Sequence, residues 1–268
     1  MTAPTRGRSG IPPLRTTNEE GRARPASTRG DTMQFYRRWQ PVAAISFDLD
    51  DTLYDNGPAI ERAEQWMLSH LRSEYLATAM LDKPRWQALK HNLLLEQPAL
   101  RHDVSLARRH GIQAALMAGG MAQGLAEREA ASVFAGFLAE RSKIEVSDET
   151  HALLARLAER YPLVVITNGN LDLTRAGLAD YFTLVCKAGL GSRMKPAPDM
   201  FVEAQRALKL APGQILHVGD HPQTDVLGAR LHGFKAAWLN ERGQPWRELQ
   251  LLPDVELTAL GELAELLL

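Results

Sequence analysis

The spacing of apolar residues divides this chain into three stretches. Residues 1–32 hold almost no large apolar side chains and are rich in Arg, Thr, Pro, Gly and Ser. Such a stretch cannot bury enough surface to offset the entropy lost on ordering, so 1–32 is expected to be a disordered tail. The pattern changes at Met33, which opens the run Met-Gln-Phe-Tyr-Arg-Arg-Trp, and the functional chain is expected to start there. Residues 43–47 have the length and apolarity of a strand covered on both faces. Gly57 and Pro58 then break the chain, and over 57–146 the apolar residues recur at spacings of three and four, as in Ile60, Ala63, Trp66, Met67 and Leu71. That period predicts helices, with Gly111, the Gly119-Gly120 pair and Gly124 as dividers. From about Ser147 the pattern predicts strands over 163–167, 183–186, 215–218 and 236–239. Between them it predicts helices over 149–161, near Leu173, over 199–210 and over 223–232. Strands alternating with amphipathic helices form a parallel sheet wrapped by helices. The fold class is therefore α/β, with residues 33–56 and 147–268 as the core and 57–146 as a helical insertion.

The net charge of −1 removes the basis for binding nucleic acid or an anionic membrane surface, since both depend on accumulated Lys and Arg. A small-molecule partner fits better. Cys186, the single cysteine, lies in the apolar run Leu184, Val185, Cys186 and is expected to be a buried strand residue. No internal disulfide can form, no apolar stretch is long enough to cross a bilayer, and no signal-peptide core is visible near the start. A reducing cytoplasm is the expected location.

Against this background the stretch after the first strand is unusual, because three carboxylates, Asp48, Asp50 and Asp51, fall within four residues. Asp48 would emerge at the strand's carboxyl end, where open α/β sheets place their ligand crevices. Three more polar stations sit at equivalent places: Thr167, Asn168 and Gly169; Lys195 and Pro196; Gly219 and Asp220. Each alone is ordinary turn or cap chemistry, but a parallel sheet gathers all four at one edge. Asp48 and Asp220, with a backbone carbonyl, would give Mg²⁺ the hard oxygens it prefers. The metal reverses the local charge and lets Asp48 act as a nucleophile on phosphorus. Lys195 and the Thr167 hydroxyl would hold phosphoryl oxygens. Asp50 is placed to protonate a leaving alcohol and then to activate water, and Asp225 to orient Lys195 or metal-bound waters. His221 reads as a loop residue and His217 as facing a helix. Arg101, His102 and Asp103 read as a solvated helix end. Gly189 and Gly191 lack the third glycine of a dinucleotide loop.

These residues, in order and type, resemble the four motifs of the haloacid dehalogenase-like hydrolase superfamily, and the insertion is similar to the cap of its helical-cap subclass. The resemblance implies a Rossmann-like core, catalytic Asp48 and Asp50, and a Mg²⁺ set of Asp48, Asp50 and Asp220. It further implies substrate contacts from Thr52, Thr167, Asn168 and Lys195, with Asp225 behind them. Closer wording, such as His102-Asp103-Val104 and Ile166-Thr167-Asn168-Gly169-Asn170, is similar to members that dephosphorylate a flavin-pathway sugar phosphate and FMN. Another small sugar phosphate or a nucleotide would suit the same chemistry. Dehalogenating relatives lack an acid two residues after the nucleophile, so Asp50 points to phosphate esters. Phosphonate-cleaving relatives replace that acid and recruit a cap lysine; Lys83 and Lys90 lie in the insertion, but Asp50 opposes that role. A phospho-accepting regulatory domain would share the carboxylates but have neither insertion nor hydrolytic acid.

Overall fold

The computed structural model describes residues 33–268 except 246, 248 and 249; the expected tail over 1–32 lies outside the described residues. In chain order the strands are β1 (Gln34–Phe35), β2 (Ala44–Phe47), β3 (Leu163–Thr167), β4 (Leu184–Lys187), β5 (Ile215–Gly219), β6 (Lys235–Leu239) and β7 (Val255–Leu257). They form one sheet in the order β1-β7-β6-β5-β2-β3-β4. Every neighbouring pair is parallel except β1 with β7.

The two-residue period of β2 explains why both faces of the sheet are covered. Ile45 and Phe47 pack on one side with Leu154 and Leu157 of α5 (Asp148–Ala158) and Leu263 of α8 (Glu262–Leu267). Ala44 points the other way and joins Met200, Phe201 and Ala204 of α6 (Asp199–Leu208) and Ala229 of α7 (Gly228–Leu231). Burial of these residues fixes the register, in which Phe47 pairs with both Val165 and Val218. The carboxyl ends of β2, β3 and β5 therefore lie side by side.

Between β2 and β3 run α1 (Asn56–Glu74), α2 (Lys83–Glu96), α3 (Val104–Ala118) and α4 (Gln123–Arg141). They enclose a hydrophobic cluster of their own, built on Met67, Leu71, Trp86, Ile112, Val133 and Phe137. Asp55, Asp82 and Asp103 cap three of these helices by accepting from the main-chain N–H of Gly57, Arg85 and Leu106; each such cap stabilises its helix by about 1 kcal/mol. Of the glycines expected to separate helices, only Gly119 and Gly120 fall between them. Gly111 lies inside α3 because Trp86 packs against it, and a Cβ there would sit 2.9 Å from the indole. Gly124 lies in the first turn of α4.

Two local expectations differ from the structure. No helix forms near Leu173; Asp172 Oδ1 accepts from the N–H of Thr174 and Arg175, which bends the chain into turns. The helix expected over 223–232 is a π-helical turn, Pro222–Leu227, followed by α7, with His221 Nδ1 accepting from Gln223 and Thr224 at its start. Cys186 is buried as expected, and burial raises its thiol pKa to about 12, whereas Val185 is exposed because β4 is an edge strand. Among the described residues no helix is long and apolar enough to cross a membrane.

Candidate active site

The stations at the strand ends converge. Lys195 is 2 % exposed and its Nζ donates to Asp48 Oδ1 and to Asp225 Oδ1, both at 2.6 Å. Burial alone would lower the lysine pKa, but the two carboxylates override it and hold the ammonium charged. The two acids share this one cation unequally. Asp225 also accepts from the main-chain N–H of His221 at 3.1 Å, from Thr224 Oγ1 at 3.3 Å and from His217 Nε2 at 3.1 Å. Burial would raise it, but Lys195 and His217 more than offset that and keep it well below the usual carboxylate range. Among the described residues Asp48 accepts from Lys195 without such further donors, and burial, opposed by Lys195 and reinforced by the charges of Asp225 and Asp50, pushes it up.

His217 contacts α6 as expected, edge-on against Phe201, but it also bridges Asp225 and Ser46, whose Oγ lies 2.9 Å from Nδ1. Burial lowers its pKa. A neutral imidazole that donates from Nε2 to Asp225 and accepts from the Ser46 hydroxyl at Nδ1 satisfies both contacts.

The Asn168 side chain is committed to the lysine's main chain: Oδ1 accepts from the Lys195 N–H at 2.7 Å and Nδ2 donates to its carbonyl at 3.2 Å. It therefore fixes where Lys195 stands. Thr167 Oγ1 accepts from the Gly169 N–H at 3.0 Å, which leaves its hydroxyl proton for another acceptor. Thr52 Oγ1 donates to Asp220 Oδ1 at 3.4 Å. Burial, then the charges of Asp225 and Asp51, raises Asp220 to about 6.

Carboxylate oxygens of Asp48, Asp220 and Asp225 lie within 4.8 Å of one another. Both Asp225 oxygens are already engaged, so the oxygens open to a cation belong to Asp48 and Asp220. Two carboxylates with room for water or phosphate oxygens suit a hard divalent ion. The Asp50 carboxylate is outside this group and is held by Arg141 and Tyr54: Arg141 Nη2 donates to Asp50 Oδ1 at 2.5 Å and to the Tyr54 hydroxyl at 2.9 Å, and that hydroxyl donates to the same Oδ1. Neither Arg141 nor Tyr54 was singled out in the sequence. A trace was present for Arg141, because Val133, Phe137 and Arg141 continue one buried stripe of α4 at intervals of four, and a charge on an apolar stripe needs a partner inside.

The Arg101, His102 and Asp103 group divides. Arg101 is exposed and bonds to Pro98, whereas His102 Nδ1 accepts from Met194 beside Lys195 at 3.4 Å and Asp103 caps α3. His221 remains a loop residue. A cavity of about 410 Å³ borders the site along Thr52 and Asp220 and reaches Asn240 and Arg242.

Residues 42–233 match the haloacid dehalogenase-like hydrolase family profile. The chain is 38 % identical over 239 residues to the 5-amino-6-(5-phospho-D-ribitylamino)uracil phosphatase YigB of Escherichia coli, across 88 % of this chain and 100 % of that protein. It is 37 % identical to a phosphoserine phosphatase of Thermus thermophilus, over 52 % of this chain and 58 % of that one. Among solved structures, a 2-haloacid dehalogenase from Pseudomonas syringae superposes with a TM-score of 0.79 at 36 % identity, covering 84 % of this chain and 97 % of the other.

Proposed function

We propose, because this chain belongs to the haloacid dehalogenase-like hydrolase family and is a phosphomonoesterase, that it works in two steps through an aspartyl phosphate on Asp48. The observation that carries the reading is the buried Lys195 ammonium 2.6 Å from Asp48 Oδ1, which leaves the other carboxylate oxygen to attack. A Mg²⁺ ion held by Asp48, Asp220 and the Asp50 main-chain carbonyl would neutralise the acids and draw phosphate oxygens inward. Lys195 and the Thr167 hydroxyl take phosphoryl oxygens, Thr52 steadies Asp220, and Asn168 and Asp225 keep Lys195 in place. Asp50 gives a proton to the departing alkoxide, then takes one from the water that releases phosphate. In this reading residues 57–146 are a cap that selects the substrate, and 33–56 with 147–268 are the catalytic core. The substrate is a small phosphorylated metabolite, with 5-amino-6-(5-phospho-D-ribitylamino)uracil first and FMN second, on the strength of the likeness to the Escherichia coli phosphatase.

A phosphate-release screen with the ribitylaminouracil phosphate, FMN, phosphoserine, a hexose phosphate and a nucleotide is the direct test. The expected result is highest kcat/KM for the first compound and loss of all turnover with EDTA. A preference for any of the others would overturn the substrate assignment, and stoichiometric labelling without turnover would overturn the hydrolytic one. The likeness to a dehalogenase structure favours a second reading, halide release from 2-chloropropionate. Asp50 opposes it, since a departing halide needs no proton.

Metal affinity should fall on acidification. Burial pushes Asp220 up to about 6 and Asp48 is raised as well; ligands must be ionised to bind a hard cation, so the Mg²⁺ concentration for half-maximal activity should rise at least about tenfold per pH unit below 6. Calorimetric titration between pH 5 and 8 checks this; a flat profile would remove Asp220 from the binding set.

A further inference from the structure

Asp50 Oδ1 accepts both from Arg141 and from Tyr54, so one carboxylate oxygen is fully occupied. The other is not. Oδ2 lies against the Gly169 backbone: a Cβ added to Gly169 would sit 2.5 Å from Asp50 Oδ2 and 3.3 Å from Thr167 Oγ1. A side chain at 169 would displace the carboxylate from where it stands, and the oxygen that neither Arg141 nor Tyr54 holds faces the Thr167 side of the site.

We propose that Arg141, together with Tyr54, is a positioning residue for proton transfer, pinning Asp50 Oδ1 so that Oδ2 alone carries the proton to and from the phosphoryl group. The inference rests on the reading of Asp50 as acid and base. A carboxyl group protonated on Oδ2 keeps Oδ1 as an acceptor, so both donors stay in place whether Asp50 is charged or neutral. In the first half of the reaction the ester P–O bond breaks as Asp48 bonds to phosphorus, and the Oδ2 proton passes to the departing oxygen. In the second half Oδ2 takes a proton from the water whose oxygen displaces Asp48.

The form of the Arg141 contact supports a positioning role. A guanidinium that serves stability commonly meets a carboxylate with two parallel N–H bonds. Here Nη2 makes both contacts and Nη1 is buried without a partner among the described residues, an arrangement more costly than a satisfied pair. Unsatisfied buried groups persist where function needs the geometry. Arg141 also belongs to the last turn of α4, and its pair with Asp50 spans 91 positions. The insertion thus completes the proton-transfer geometry of the core as well as standing beside it.

The test compares kcat/KM for p-nitrophenyl phosphate, whose leaving group departs readily without a proton, with phenyl phosphate, whose leaving group needs one. This parameter reports the first half-reaction. Arg141→Met should lose roughly tenfold more activity with phenyl phosphate, a part of the 10²–10⁴-fold that a placed acid contributes. Arg141→Lys and Tyr54→Phe should show smaller gaps of the same sign, and both keep the buried volume should Arg141→Met fail to fold. Asp50→Asn sets the upper limit and should show the widest gap. If Asp50→Asn shows the gap while Arg141→Lys and Tyr54→Phe lose both substrates equally, or neither, the positioning role is overturned alone. If Asp50→Asn shows no gap, the acid role of Asp50 falls, and this inference falls with it.

Discussion

Asp48→Asn should abolish phosphatase turnover, by on the order of 10⁴-fold or more in kcat as for other removed nucleophiles, while leaving the protein folded. Asparagine has the same shape and keeps an oxygen for the Lys195 ammonium, which lies 2.6 Å from Asp48 Oδ1. Burial raises the Asp48 pKa, and the sign of the stability effect follows from that. A carboxyl whose folded pKa lies above its unfolded value favours folding most below the unfolded pKa, and that advantage is lost as pH rises through the folded pKa. The amide has no charge to bury, so the metal-free variant should melt at or above the parent's temperature near pH 8. Phosphate release and calorimetric melting on the same samples check both halves. Turnover above one hundredth of the parent would show that Asp48 is not the nucleophile, and a large drop in melting temperature near pH 8 would show that its burial does not disfavour the charged form.

Lys195→Met should show the opposite balance, with a large loss of stability as well as of activity. The ammonium is the shared partner of Asp48 and Asp225, both buried. Removing one member of such a cluster leaves uncompensated charge inside and typically costs about 3–5 kcal/mol. In the parent Asp225 is held low, so its contribution is present above the unfolded pKa and is lost only as pH falls through the folded value. Without the lysine, burial dominates at both acids and their pKa values rise, so the variant should gain stability from pH 8 to pH 5.5. Adding Asp225→Asn should recover much of the lost stability without restoring turnover. Chemical denaturation at the two pH values decides the matter; a variant as stable as the parent at pH 8 would mean that the buried cluster is not held together by this charge.

How much of this was legible in the sequence depended on whether a signal was local. The runs 43–47, 163–167 and 215–218 are buried on both faces and end abruptly in polar residues, so the sheet and the convergence of Asp48, Thr167 and Asp220 could be read from patterning. β1 and β7, of two and three residues, are too short to display a period. The turns after Asp172 depend on side-chain bonds to the backbone, which compete with helix formation and leave no mark in apolar spacing. Arg141 near the end of a helix resembles a solvated cation favourably placed at the helix dipole. Only packing α4 against the core reveals that it is 1 % exposed and paired with Asp50. His217 was assigned to the helix it touches, but its two polar partners come from the neighbouring strand and the following turn.

The adjacency of β2 and β3 has an evolutionary consequence. Because these strands are hydrogen-bonded neighbours, the chain leaves the sheet and returns to it at nearby points, whatever lies between. The entropy of closing such an excursion rises only slowly with its length. Lineages can therefore lengthen, shorten or exchange α1 to α4, which carry a hydrophobic cluster of their own, without disturbing the strand alignment that α5 helps to fix. In this chain an exchange of those helices would also remove Arg141, the partner of Asp50.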